Sequence, residues 1–275
     1  MKHHVLLIIP FFLLLNTVQV SGQTPDETSK YWAGLGMGAS FTGYKDKVAS
    51  PINRYTDALT YYIIGGIEKG NFLHSINMHF FIGDSVMSAP FIGYEQENFL
   101  SARGNIKYAC DYRLWGTSLF PGYLGAASRM IFHYTGVDTK TAVLDELTPP
   151  TYLGIISLDL HITQKWILNS KNSLILSAAY PIIGYSARPP FASYDELMGQ
   201  YLLDNNFLRL ISIGSFTSFH NYSALSGELK YQYDATPFIS VFSCLAFELS
   251  YINLPKHRPR TDALVALNLG IVFNF

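Results

Sequence analysis

Alternation of apolar and polar residues with a period of two runs through most of the chain and is sharpest at its end. From Val265 the odd positions read Val265, Leu267, Leu269, Ile271, Phe273 and Phe275, and the even ones Ala266, Asn268, Gly270, Val272 and Asn274. Successive side chains of a strand point to opposite faces. The pattern therefore predicts a strand with one continuous apolar face ending in aromatics and a small or polar face behind it.

The same pattern recurs upstream. Tyr31, Ala33, Leu35, Met37, Ala39 and Phe41 interleave with Gly34, Gly36, Gly38 and Ser40. Leu59, Tyr61, Ile63 and Ile67 alternate with Thr60, Tyr62 and Glu68, and Phe72, Ile76, Met78 and Phe80 with Ser75, Asn77 and His79. A fourth strand sets Ile106, Tyr108, Cys110, Tyr112 and Leu114 against Asn105, Lys107, Asp111 and Arg113. Residues 123–134 predict a fifth, with Arg129 and His133 on its polar side. The sixth alternates Tyr152, Ile156, Leu158, Leu160 and Ile162 with Ser157, Asp159, His161 and Thr163, and a seventh passes through Leu174, Leu176, Ala178 and Tyr180. Leu225 to Tyr233, with Glu228 and Lys230 on the polar side, and Val241 to Tyr251, with Glu248, complete the set before the last strand.

Tight turns are predicted at Lys69-Gly70-Asn71, Phe120-Pro121-Gly122, Asn169 to Asn172 and Asp234 to Pro237. If residues 186–221 form one elaborated loop, the count is ten strands, and every tight turn falls at the same end. The alternative is twelve strands, with Phe207 to Thr217 as half of a further hairpin.

Composition decides what covers the apolar faces. Charged residues are only 14% and aromatics 15%, with 19 Tyr and 19 Phe, whereas a soluble domain is normally near a quarter charged. After the N-terminal segment no apolar run approaches the ~18 residues of a spanning helix. An apolar chain without such a helix crosses a membrane as a closed antiparallel barrel, in which every backbone group is paired. The strand charges then face the lumen, because the lipid face tolerates few of them. A net charge of −1 argues against nucleic acid, which needs a basic face.

The first residues read as an export signal: Lys2, His3 and His4, then an apolar stretch from Val5 to Leu15 broken by Pro10, then Val20, Ser21 and Gly22 before Gln23. The expected division is a signal peptide at 1–22 and a single barrel at 23–275.

Candidate chemistry lies mainly inside. Lys107, Asp111, Arg113, Arg129, Asp159, His161, Glu228 and Lys230 are expected to form a lumenal polar network, in a barrel whose interior is about wide enough to be filled by side chains. It reads either as a self-neutralising core or as a narrow polar path. Ser157, Asp159 and His161 are the residue types of a nucleophilic triad. On one strand, however, successive inward residues stand about 7 Å apart, and nucleophile and base must lie within about 3 Å. Cys110 and Cys244 point to opposite faces, which predicts no disulfide between them, and no cofactor or metal signature is present. His74 and Ser128 are the polar exceptions on the lipid side, and Ser218, His220 and Asn221 gather at a rim. In the loops, Arg188-Pro189-Pro190-Phe191 is stiffened by its prolines and is either a docking surface or a plug. Asp195 to Leu203 could form a short amphipathic helix. Lys256, His257, Arg258 and Arg260 make the last loop basic, suited to lipopolysaccharide phosphates.

The export signal ahead of Gln23, the aromatic alternation and the terminal Phe273-Asn274-Phe275 together resemble outer-membrane β-barrel proteins of Gram-negative bacteria, those of Bacteroidota among them. That resemblance implies residence in the outer membrane, contact with lipid and lipopolysaccharide, and recognition of the strand ending at Phe275 by the assembly machinery. It carries no active-site motif. The expected function is a non-enzymatic barrel with a polar, largely packed lumen, serving envelope structure, assembly or limited transport through its outer loops. The alternative is a hydrolase of lipid or protein at the outer leaflet, with His220 or His133 as its base.

Overall fold

A computed structural model describes residues 29–46, 53–88, 98–137, 151–188, 214–218, 220–254 and 259–275. They form β1(Lys30–Asp46), β2(Asn53–Lys69), β3(Phe72–Ser88), β4(Asn98–Trp115), β5(Gly122–Val137), β6(Thr151–Ile167), β7(Asn172–Ala187), β8(Ser215–Ser218), β9(Tyr222–Asp234), β10(Ile239–Ile252) and β11(Arg260–Asn274). All pairings are antiparallel. Sequence neighbours pair in turn from β1 to β7; β7 then pairs with β9, β9 with β10, β10 with β11, and β11 with β1. The sheet closes on itself as a ten-stranded barrel, and among the described residues only the short β8, paired with β7 alone, keeps a free edge.

The short connections lie at one end, here the turn end, together with Lys30 and Phe275. The longer connections lie at the other, the loop end. The tight turns stand where the sequence puts them, except that β4 and β5 are joined by six residues, Gly116 to Pro121, rather than by three. Gly116 there has φ +91°, a left-handed conformation that glycine adopts without a Cβ clash. Among the described residues β8 forms no further hairpin. Its four residues pair with the loop end of β7, from Ile183↔Ser218 to Ser186↔Ser215, while β9 takes the turn-end part, from Asn172 to Ala179. The handover occurs around Pro181, which has no N–H to donate, and β6 shifts register opposite the same point. Phe207 and the expected helix at 195–203 lie outside the described residues, as do Phe191, Lys256, His257 and Arg258.

Closure of the barrel depends on glycine in β1. An ideal Cβ at Gly38 would stand 1.8 Å from the carbonyl oxygen of Leu267 on β11. Only a residue without a side chain lets these two strands approach as they do.

The outer wall is an apolar belt. Leu59, Leu35 and Leu269 are 63%, 62% and 60% exposed, values that only a nonaqueous surrounding makes economical over so many neighbours. Aromatics ring both margins: Tyr31, Tyr112, Trp115, Tyr231 and Phe273 toward the turn end, and Phe41, Tyr55, Tyr180 and Tyr251 toward the loop end. Such girdles flank the apolar band of membrane barrels. A 17-residue strand is about 56 Å long at about 3.3 Å per residue. Tilted by about 40° it stands roughly 43 Å tall, well above the band of about 25 Å. The excess lies at the loop end, where Asp57 on β2 and its cross-strand neighbour Asp84 on β3 are exposed on the outer wall.

Candidate functional site

The inward face differs between the two ends. Toward the loop end it is closely packed, apart from a small cavity of about 30 Å³ lined by Arg103, Arg129 and Glu248 among others. Ile131, Leu153, Ile155, Tyr222, Ala224 and Ile252 form an apolar cluster inside the barrel, with Leu254 against it. Beside it runs a chain of ion contacts contributed by β1, β4, β5, β6, β10, β11 and the residue after β7. Arg188 pairs with Asp46 and donates to the carbonyl of Leu254 at 2.8 Å. Asp46 lies 3.6 Å from Arg260, whose Nε donates to Asp262 at 2.8 Å. Asp262 is 3.9 Å from Arg103, and Arg103 donates to Glu248 at 2.6 Å. Glu248 in turn stands 3.6 Å from Arg129, which meets Asp159 at 2.8 Å. Four guanidiniums thus alternate with four carboxylates, all buried, which is how charge survives away from water. The ring of Tyr44 lies under Arg260, 5.0 Å from centroid to guanidinium carbon. At Arg188, beyond the end of its strand, burial lowers the guanidinium pKa and Asp46 partly restores it.

Below this layer Lys107 donates to Glu228 at 2.8 Å, and Tyr62 and Asn77 donate to the same carboxylate at 2.9 and 3.1 Å. Asp111 is met by His161 Nδ1 at 2.8 Å and accepts from Thr163 at 3.1 Å. Further toward the turn end the packing stops, and a cavity of about 840 Å³ opens. Its floor is set by Tyr62, Asn77, His161 and Glu228, and its mouth by the turn residues Ser170, Lys171 and Ala235 to Phe238. The interior is therefore not evenly packed, as a ten-stranded barrel alone suggests. The filling is concentrated at the loop end.

Of the residues singled out in the sequence, Lys107, Asp111, Arg129, Asp159, His161 and Glu228 are inward and in ion contacts. Lys230 lines the cavity. Arg113 stands apart, half-exposed near the turn end, with its guanidinium aimed at the carbonyl of Gly116. Arg188 is not displayed on a loop: it is buried in the lumen, drawn there by Asp46. Arg260 likewise is not part of a basic loop surface but the first, fully buried residue of β11. His220 is exposed in the turn between β8 and β9, where Asn221 N–H donates to Ser218 O at 2.9 Å. Asp46, Ser101, Arg103 and Asp262 escaped the sequence reading. They lie near strand ends, where both faces carry polar residues and alternation no longer reports direction.

Two histidines have the neighbours a hydrolase would need, and neither is wired as one. His133 Nε2 lies 3.1 Å from Ser101 Oγ, but its Nδ1 faces Arg260. A guanidinium only donates, so Nδ1 must accept and the ring proton sits on Nε2. The imidazole then donates to Ser101 and cannot take its proton, the reverse of a general base. His161 is oriented by Asp111 in the productive sense, yet among the described residues no hydroxyl or thiol bonds its Nε2. Ser157 and Asp159 are not joined to it; Asp159 meets Arg129 instead. On the outer wall His74 bonds Tyr108 at 2.9 Å and stacks near Phe72, an aromatic margin contact. Cys110 and Cys244 are both free, and no group of three metal-ligating side chains occurs among the described residues.

No protein-family model matches the chain, and no curated sequence does. Solved structures do. The outer-membrane protease OmpT of Escherichia coli superposes with a TM-score of 0.59 at 10% identity, over 94% of this chain and 99% of that one. Neisserial surface protein A matches at a TM-score of 0.32 and 11% identity, over 90% and 99%. The fold is that of an outer-membrane β-barrel. At this identity the likeness extends to the fold and to nothing finer.

Proposed function

We propose that this protein is a non-enzymatic integral barrel of the outer membrane, exported by its first 22 residues, with its turn end in the periplasm and its loop end outside. Its lumen is a sealed core rather than a pore. The observation that carries this reading is the continuous Arg188-to-Asp159 ion ladder across the loop-end lumen, beside an equally buried apolar cluster. A conducting path would have to break it, and removing one partner of a buried pair costs about 3–5 kcal/mol. The role that fits is envelope structure or assembly, with partners engaged at the outer loops and at the periplasmic mouth. Lipopolysaccharide and lipid are the surroundings of the belt, and the strand ending at Phe275 is the segment offered to the assembly machinery. The reversed Ser101–His133 pair weighs against the hydrolase alternative.

The test is an outer-membrane preparation of the expressed protein run on a gel before and after boiling, with and without Phe275. A heat-dependent mobility shift, weakened by deleting Phe275, is expected. A soluble periplasmic protein without a shift would overturn the reading.

A further inference from the structure

The cavity at the turn end carries a pattern of charge that the sealed loop end lacks. Each side-chain acid on its lining already has partners, and the main-chain oxygen of Phe275, which also lines it, accepts from Tyr31 N–H at 3.3 Å. Glu228 is held by Lys107, Tyr62 and Asn77. Glu68 accepts from Tyr123 at 2.9 Å and lies 3.7 Å from Lys165. Asp234 accepts from Ser240 at 2.6 Å and from Gln232 at 3.1 Å. The cations are left over. Lys30, Lys171 and Lys230 all line the space, and their ammonium groups have no hydrogen-bond or ion-pair partner among the described residues. His161 Nε2, by contrast, is buried and unpartnered beside the cavity floor, with almost no surface open to the space. With Nδ1–H donating to the Asp111 carboxylate, that nitrogen is left as an acceptor and does not hold an anion. The aromatic rings of Trp32, Tyr62 and Tyr123 stand between these groups, among shorter polar side chains such as Ser75, Ser177 and Asn77.

A volume of about 840 Å³ falls within the about 300–1,000 Å³ of small-molecule sites, which are mostly apolar with a few convergent polar groups. We infer that the turn-end cavity binds a small organic anion, a carboxylate or phosphate head on an aromatic or other apolar body, with the head on Lys230 and the body against Trp32 and Tyr123. Charge-assisted bonds to an anion are the strong ones, and Lys230, part-buried between the barrel walls, is less screened than Lys30 and Lys171, which are exposed at the mouth. Entry from the periplasm rests on the orientation proposed above; binding itself does not.

The experiment uses the full mature chain, folded in dodecyl maltoside and titrated calorimetrically with phenyl phosphate, benzoate and the neutral benzyl alcohol. Saturable one-to-one binding of an anion is expected, with none for the alcohol. A preference between phosphate and carboxylate distinguishes the two kinds of head. Lys230→Met should weaken the anion about tenfold, the worth of one charge-assisted hydrogen bond, with the heat-modifiable shift retained. Lys171→Met at the mouth gives a smaller loss and carries the test should Lys230→Met fail to fold. Lys69→Met, outside the cavity, should change nothing. Absence of saturable binding, equal binding of the alcohol, or unaltered affinity in folded Lys230→Met would each overturn the proposal. Because the titration is done on purified protein, it can fail while the barrel and its membrane location stand, and the reverse.

Discussion

Glu248 is the carboxylate whose removal the ladder should feel most. It stands between two guanidiniums, 2.6 Å from Arg103 and 3.6 Å from Arg129, with its side chain 4% exposed. Glu248→Gln keeps the shape and removes the charge. At an effective dielectric near 20 the two contacts represent roughly 6 and roughly 5 kcal/mol of attraction. Much of that is offset by the desolvation a neutral amide escapes, and the net loss on removing one partner of a buried pair is about 3–5 kcal/mol. The amide oxygen can still accept one hydrogen bond from Arg103, which places the expectation at the lower end, about 3 kcal/mol. The assay is equilibrium urea unfolding of protein folded into phospholipid vesicles, followed by tryptophan emission; Trp115 on the outer wall reports transfer from lipid to water. A loss below about 1 kcal/mol, the value of an exposed ion pair, would show that water reaches the ladder and would refute the sealed lumen.

Three further outcomes follow from other parts of the wall and core. Gly38→Val should cost at least the ~1–3 kcal/mol of overpacking, or block closure between β1 and β11, seen as loss of the heat-modifiable form; a normal shift and midpoint would contradict the close approach to Leu267. Leu267→Arg, on an outward position 55% exposed, should destabilise the vesicle-inserted barrel by about 2–4 kcal/mol, and no change would mean that this face does not meet lipid. A fluorophosphonate probe should leave Ser101 unlabelled, because His133 cannot take its proton; labelling lost in Ser101→Ala would revive the hydrolase reading.

The barrel was legible because a lipid-facing wall enforces alternation on nearly every strand. A one-residue slip would turn charges such as Asp111 and Asp159 into lipid. Direction was therefore readable for Lys107, Arg129 and Glu228 from their own strands. Partnership was not, because it depends on which strands face each other across the lumen: Lys107 on β4 meets Glu228 on β9, 121 positions away. At strand ends the signal faded further. Arg188 and Arg260 sit among polar neighbours and look like loop cations, yet Asp46 draws both inward. The run Gly34, Gly36 and Gly38 read only as the small residues between apolar ones, while the structure shows all three pressed against backbone carbonyls of β11, with Gly38 the closest. The cavity was illegible altogether, since it depends on how inward side chains from many strands, such as Trp32, Tyr123 and Lys230, pack across the turn end, not on any motif.

The sealed lumen is tested most directly by single-molecule conductance of the folded protein in a planar lipid bilayer. A sealed lumen gives no stable open-channel steps for the wild type, because the ladder from Arg188 to Asp159 closes the loop end. Steady, long-lived conductance steps from the wild-type protein would contradict it.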